Sequence, residues 1–353
     1  MTSSNNYLVI MAGGVGGRFW PLSTDARPKQ FLDIMGCGRT LLQLTYDRFR
    51  NVVPAQNVWV VTSKDYVEDV KAQLPEVDAA QVLAEPCRRN TAPCICYVSW
   101  RIKKINPKAN IVVSPSDHMV ADEHAFEQAV NDSLDFASET DAIVTLGLKP
   151  TRPETGYGYI KADLSYSSSR KGTIFRVDAF KEKPSAEVAR QYVEQPNYLW
   201  NSGIFIWNVS TVVNAFRVYQ PAMSKIFEGL LPVYGTADEQ AAIDREFPEC
   251  ESISVDYAIL EKAEEIFVYP ATFPWSDLGT WTSLRENSKE KDAYGNVTIG
   301  SDIRMFDSYN CVVHAAGEKK VVVQGLDGYV VAEHDGELLI CRLSEEQRIK
   351  LFH

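Results

Sequence analysis

The rhythm of apolar and polar positions changes several times along this chain. Residues 7–12 are an unbroken apolar run, as a strand covered on both faces requires, and glycines follow at once. Residues 57–62 are β-branched and strand-like, and residues 110–114 and 142–146 are further short apolar runs. Between the runs the period becomes helical. Across residues 91–105, Ile95, Val98, Ile102 and Ile105 recur at spacings of 3, 4 and 3, which puts them on one helix face. Phe126, Val130, Leu134 and Ala137 mark a second helix. Thr40-Leu41-Leu42-Gln43 has the form of a capping box ahead of a helix bearing Leu41, Leu44 and Phe49 on one face. Strands alternating with helices predict βαβ units and a doubly wound α/β sheet, mixed but mainly parallel, of Rossmann type.

The middle of the chain, roughly residues 156–277, is richer in aromatics and less regular. Strand signals occur at residues 157–161, 174–180 and 204–208, and the segment reads as an insertion that builds a pocket. The pattern changes again near residue 285. No proline follows Pro274, and short β-branched runs recur at residues 297–299, 311–314, 321–323, 329–332 and 338–341, punctuated by glycines. Two domains are therefore expected: residues 1–285, and a small all-β domain at 286–353 forming a solenoid or a compact sheet.

Charge narrows the partners. With 36 basic and 47 acidic residues the net charge is −11, which disfavours nucleic acid held through broad phosphate contacts. A few cations gathered in one pocket still suffice for a small anion. No stretch approaches the roughly 20 apolar residues of a membrane span, and the run at residues 7–12 is too short for a signal peptide. The seven cysteines are scattered, and Cys94-x-Cys96 has no second cluster, so reduced buried thiols are expected rather than zinc. A cytoplasmic protein without a membrane partner is the expectation. A homodimer is compatible with the sequence, which fixes no oligomeric state.

The chemistry begins after residue 12. Gly13-Gly14-Val15-Gly16-Gly17-Arg18 is followed by Arg27-Pro28-Lys29-Gln30. Glycines let backbone N–H groups approach phosphate oxygens, and Arg18 and Lys29 add full charges. No Gly-Lys-Ser/Thr follows, which excludes a P-loop, and Phe19 stands where the dinucleotide fingerprint needs Gly or Ala. A tight strand-to-helix turn would use similar glycines. Asp117 ends the strand-like run Ile111-Val-Val-Ser-Pro-Ser-Asp, where α/β sheets present ligand groups, though an aspartate there also serves as a helix cap.

This arrangement resembles the signature of the nucleotidyltransferase family that makes nucleoside-diphosphate sugars. The likeness runs in register over roughly residues 7–281. Its motifs are Glu85-Pro86 with Arg89-Asn90-Thr91-Ala92-Pro93, Pro115-Ser116-Asp117-His118, Glu154-Thr155-Gly156-Tyr157-Gly158-Tyr159-Ile160, Phe180-Lys181-Glu182-Lys183-Pro184, Trp200-Asn201-Ser202-Gly203 and Trp275-Ser276-Asp277-Leu278-Gly279. In that order they are similar to the mannose-1-phosphate guanylyltransferases in particular. Gly17 departs from the pattern, since the family usually has Thr or Ser there, and a hydroxyl contact to phosphate is lost.

The resemblance implies transfer of GMP from GTP to α-D-mannose 1-phosphate, with GDP-mannose and pyrophosphate as products. It gives Arg18, Lys29 and Lys183 to the phosphates, and Asp117 and Asp277 to a Mg²⁺ ion. Gly13, Gly14, Gly16 and Gly17 would cradle the nucleotide. Glu85, with backbone carbonyls at Asn90 and Thr91, could accept from guanine, although Glu85 before Pro86 is equally a solvated loop acid. Gly158, Glu182 and Asn201 would hold the sugar. Extended, Glu182 and Lys183 would point apart; bent before Pro184, both would line a pocket. Asp256 either lines the sugar pocket or caps a helix. His118 reads as structural. Another sugar 1-phosphate, a uridine or thymidine nucleotide, or a non-catalytic sensor are the alternatives. No phosphate or metal motif lies beyond Asp277, so the final β region is expected to serve stability or assembly.

Overall fold

The first apolar run is strand β1 (Asn6–Ala12), which has sheet neighbours on both sides and is buried along nearly its whole length. The computed structural model describes residues 4–14, 17–168, 172–315 and 317–352. Strands β2 (Val58–Ser63), β3 (Val82–Glu85) and β4 (Asn110–Pro115) run parallel with β1, and Leu8 sits opposite Val58 on one side and Val112 on the other. Strands β5 (Ile143–Leu148), β6 (Tyr159–Ser167), β7 (Phe175–Lys181), β8 (Tyr198–Asn208) and β9 (Ile266–Ala271) complete one nine-stranded sheet. The order is β3-β2-β1-β4-β8-β5-β9-β7-β6.

Strand β8 enters antiparallel between β4 and β5. Residues 156–277, expected as an insertion that builds a pocket, thus also supply the sheet's central strand. The reason is local: Ile204, Phe205, Ile206 and Trp207 are all buried, and four consecutive apolar side chains need cover on both faces. The helix Thr91–Ile105 has the boundaries that its periodicity predicts. Ile95, Val98 and Ile102 are buried in the main core, but Ile105 is 51% exposed, beside Lys103 and Lys104 in the last turn. The Thr40 capping box forms as expected: Thr40 Oγ1 accepts from the Gln43 N–H at 3.3 Å, and Gln43 Oε1 accepts from the Thr40 N–H at 3.1 Å.

The structure divides into two compact units, which differ from a single cut near residue 285. One comprises Met1–Gly13, Tyr46–Pro115 and Ala121–Pro274, and contains the nine-stranded sheet. The other comprises Gly14–Thr45, Ser116–Val120 and Trp275–His353. In this second unit, strands Val297–Ile299, Val312–Ala315 and Tyr329–His334 stack in parallel, with Val297, Val312 and Val330 in register. Asp302–Phe306 pairs parallel with Lys320–Gln324, so the region is a solenoid of parallel rungs. Its apolar interior is shared with the segment after the glycine loop: Phe19, Leu22 and Ile34 pack with Trp281, Val312 and Val330. Most of the free cysteines are buried. Among the described residues, no helix is long and apolar enough to cross a membrane.

Candidate active site

The glycine loop leaves β1 at Gly13. A Cβ at Gly14 would meet nothing within 4 Å, so the glycine faces open space. Gly16 lies outside the described residues. A 3-10 turn, Gly17–Phe19, then separates two neighbours: Phe19 is wholly buried against Trp281, while Arg18 is exposed. Burying one ring thus projects the adjacent guanidinium, whose Nη1 donates to the Gly279 carbonyl at 3.5 Å. Gln30, itself buried, donates through Nε2 to the Gly14 carbonyl at 2.9 Å and ties the loop to the Lys29 turn.

Lys29 opens the next 3-10 turn, Lys29–Phe31. Its ammonium pairs with Asp117 Oδ2 at 3.1 Å and donates to the carbonyls of Asp277 at 2.9 Å and Leu278 at 3.1 Å. A short antiparallel ladder explains why these distant residues meet. Met119 pairs with Ser276 and Val120 with Trp275, which brings the Asp117 turn beside the Asp277 turn. The Asp277 turn is tight: Leu278 has φ 43°, and Asp277 Oδ1 accepts from the Gly279 N–H at 3.1 Å. A Cβ at Gly279 would lie 2.8 Å from Asp277 Oδ2, so any larger residue there would push the Asp277 carboxylate aside. Burial by itself would raise the Asp117 carboxyl, but the Lys29 ammonium and the His118 imidazole hold it below its ordinary 3.8. His118 stands 3.8 Å from Asp117 with its ring edge-on to Trp275.

The acceptors around the Lys29 ammonium are all oxygens, the ligand set that a hard divalent cation takes. Among the described residues, no three His, Cys, Asp or Glu side chains gather to hold a metal by themselves. A cation at Asp117 and Asp277 would therefore complete its shell with carbonyls, water or a ligand's phosphates, as Mg²⁺ does. Asp117 and Asp277 offer oxygens of the kind that ion takes.

The sugar candidates converge in the other unit. A Cβ on Gly158 would collide with Glu182 Oε2 and press on Asn201, so glycine is needed for this close approach. Glu182 is 7% exposed, and its Oε2 has no hydrogen-bond partner. Its other oxygen accepts from Lys183 Nζ at 2.6 Å. Lys183 has φ 47°, so the chain bends before Pro184 and the two side chains meet rather than point apart. Desolvation pulls the Lys183 ammonium down, but Glu182 and then Asp256 raise it above its ordinary value.

Asn201 is held on both sides. Its Oδ1 accepts from Thr145 Oγ1 at 3.0 Å and from the Gly203 N–H at 3.2 Å, and its Nδ2 donates to Asp256 Oδ1 at 2.9 Å. Asp256 starts a π-helical turn, Asp256–Leu260, a local form common at functional sites. It lies beside the Glu182–Lys183–Asn201 group, accepting from Asn201 and coupled in charge to Glu182 and Lys183. Burial, reinforced by the Glu182 charge, pushes its pKa to about 6. Asp256 and Thr145 join the site here. The Ser254-Val255-Asp256-Tyr257 segment signalled the first, whereas nothing local signalled Thr145.

Glu85 closes strand β3 and is 8% exposed, so it is not a solvated loop acid. Its Oε1 has no hydrogen-bond partner, and burial pushes the pKa to about 8, against a hydrogen bond with Cys94. Asn90 takes φ 68° and caps the helix that starts at Thr91, accepting from the Thr91 N–H at 2.8 Å. Thr91 Oγ1 accepts from the Val255 N–H at 2.9 Å. Both side chains are thus engaged in holding the backbone.

The nucleotidyl transferase family model matches residues 7–293. The mannose-1-phosphate guanylyltransferase of Salmonella montevideo is 34% identical over 347 residues, spanning 97% of this chain and 72% of that protein. That of Escherichia coli strain K12 is 34% identical over 355 residues, spanning 99% and 73%. Among solved structures, the mannose-1-phosphate geranyltransferase of Thermus thermophilus superposes with a TM-score of 0.87 at 33% identity, covering 99% of this chain and 98% of that one. The glycine loop, the aspartates and the Glu182–Asn201 group all fall within the matched span, and the chain belongs to the nucleotidyl transferase family as one of its enzymes.

Proposed function

We propose that the enzyme transfers GMP from GTP to α-D-mannose 1-phosphate, giving GDP-mannose and pyrophosphate. An oxygen of the sugar phosphate forms a bond to the α-phosphorus. The bond from that phosphorus to the oxygen it shares with the β-phosphate breaks, and the electron pair leaves with pyrophosphate. The attacking oxygen is already anionic, so no side chain has to remove a proton. The protein's task is to hold the reactants in line and neutralise charge.

Arg18, exposed next to buried Phe19, is assigned to the β- and γ-phosphates together with Lys29. Lys183 serves the sugar phosphate and the α-phosphate. Gly13, Gly14, Gly16 and Gly17 let the chain lie against the phosphates. Glu85 accepts from guanine N1–H and N2–H₂, helped by the carbonyls of Asn90 and Thr91. Asp117 and Asp277 would hold Mg²⁺, which when bound supplies positive charge at the phosphates.

The observation that carries the sugar assignment is the Glu182 carboxylate. Its Oε2 is buried without a partner against the backbone of Gly158. An unpartnered buried carboxylate oxygen is unfavourable unless a ligand brings donors, and adjacent sugar hydroxyls do so through charge-assisted bonds. The names of the Salmonella and Escherichia relatives support mannose 1-phosphate and a guanine nucleotide.

The test is pyrophosphate release over a panel of nucleoside triphosphates, each with several sugar 1-phosphates. GTP with mannose 1-phosphate is expected to be the best pair. A preference for UTP or dTTP of about tenfold, roughly 1.4 kcal/mol, would overturn the guanylyl assignment. No release with any pair would overturn the reaction itself.

A further inference from the structure

Lys29 occupies one carboxylate oxygen of the metal reading, on Asp117, and the main-chain carbonyl of the other residue, Asp277. Its side chain is only 12% exposed, and its ammonium is taken up by Asp117 Oδ2 and the carbonyls of Asp277 and Leu278 at 2.9 to 3.1 Å. The carbonyls come from consecutive residues of a tight turn, with Leu278 at φ 43° and Asp277 Oδ1 accepting from the Gly279 N–H. An ammonium and a divalent ion both seek such oxygens, and like charges do not share them.

We infer that Lys29 is an internal counter-cation with two stations. At the first station its ammonium fills the oxygen cradle. When a divalent cation is loaded, Lys29 leaves the cradle and its charge becomes available to the nucleotide phosphates. The inference rests on the reading of Asp117 and Asp277 as metal ligands. It adds that Lys29 competes with the metal, so that loading the ion and delivering Lys29 are one exchange. An occupied cradle lowers apparent affinity by the fraction of molecules in which it is open.

The test is Mn²⁺ binding without nucleotide, read from the electron paramagnetic resonance of free Mn²⁺. The parent protein is compared with Lys29→Met, Arg18→Met and Asp117→Asn. If Lys29 fills the cradle in nine-tenths of molecules, Lys29→Met binds Mn²⁺ about tenfold more tightly than the parent. Arg18→Met removes the same charge from the same segment but not from the cradle, and leaves the midpoint at the parent value. Asp117→Asn weakens binding. Loss in Asp117→Asn without gain in Lys29→Met overturns the exchange and spares the metal reading. Equal gains in Lys29→Met and Arg18→Met reduce Lys29 to general charge and also overturn it. Equal binding by Asp117→Asn and parent overturns the metal reading and the exchange with it.

A second measurement needs no variant. Acetic anhydride labelling of the parent protein, read by mass spectrometry, should modify Lys29 several-fold more with saturating Mn²⁺ than without it. Unchanged or reduced labelling overturns the exchange.

Discussion

The rings of Phe19 and Trp281 lie with centroids 4.9 Å apart and planes tilted by 57°, and both residues are wholly buried. Arg18 precedes one ring, and Leu278 and Gly279 lie just ahead of the other. The pair sits in a core shared with Val312 and Val330 of the solenoid. The solenoid therefore packs directly against the segment that follows the glycine loop. Trp281→Ala should lower stability by about 3–5 kcal/mol, as for other large aromatic truncations. Urea denaturation checks this, and nucleotide affinity of the folded variant should fall with it. A variant with parental stability and parental nucleotide affinity would separate the solenoid from the loop.

Gly158 tests the sugar group. Alanine there forces Glu182 Oε2 to move and crowds Asn201. Overpacking of this kind costs about 1–3 kcal/mol. With the cost borne by the Glu182 group, the KM for mannose 1-phosphate should rise by roughly tenfold to a hundredfold. Affinity for GTP measured alone should stay at the parental value. A change in GTP affinity with no change in the sugar KM would move Gly158 out of the sugar site.

Asp256 carries a pH signature. Its pKa in the fold, about 6, lies above the ordinary 3.8, so the fold disfavours its ionised form. Its contribution to stability is then complete below pH 3.8 and is lost as pH rises through about 6. Asp256→Asn removes this loss, because an amide stays neutral and can still accept from Asn201. The variant should melt higher than the parent at about pH 8, with the gap closing by about pH 4. It should also bind mannose 1-phosphate less well, since a carboxylate kept at a cost to stability is kept for the ligand. A melting difference independent of pH would contradict the raised pKa.

Glu85 should couple pH to base recognition. Its pKa of about 8 means that the carboxylate form, the better acceptor for guanine, grows in as pH rises through that value. GTP affinity of the free enzyme should therefore strengthen across this range. Glu85→Gln should abolish the trend and weaken GTP by about 1–3 kcal/mol, the usual effect of leaving a buried polar group mispaired. Because ITP lacks the 2-amino group, the preference for GTP over ITP should shrink in the variant. Nucleotide binding followed by fluorescence quenching measures all three, and an unchanged GTP-to-ITP ratio would count against Glu85 as the guanine acceptor.

Local patterns in the amino-acid sequence carry much of this protein. The apolar run at residues 7–12, the helix at residues 91–105 and the Thr40–Gln43 capping box are of this kind. Each forms as read, because backbone geometry over one or two turns depends on neighbours in sequence. The chemical types are legible too, since glycines ahead of Arg18 and paired Glu182 and Lys183 suit phosphate and sugar wherever they lie.

The tertiary structure decided the rest, through contacts between residues far apart in the chain. Nothing near residue 204 says that β8 runs antiparallel between β4 and β5, because its apolar run would suit any central strand. Nothing near Lys29 says that its ammonium meets Asp117 and the carbonyls of Asp277 and Leu278. That meeting depends on the ladder of Met119–Val120 with Trp275–Ser276. Glu85 is ambiguous in sequence for the same reason. A carboxylate before a proline has no burial of its own, and only the packed fold took it out of water and left Oε1 unpartnered. Local sequence determines backbone conformation and the kinds of groups available. Which oxygens surround a charge, and how far it is removed from water, are properties of the assembled fold.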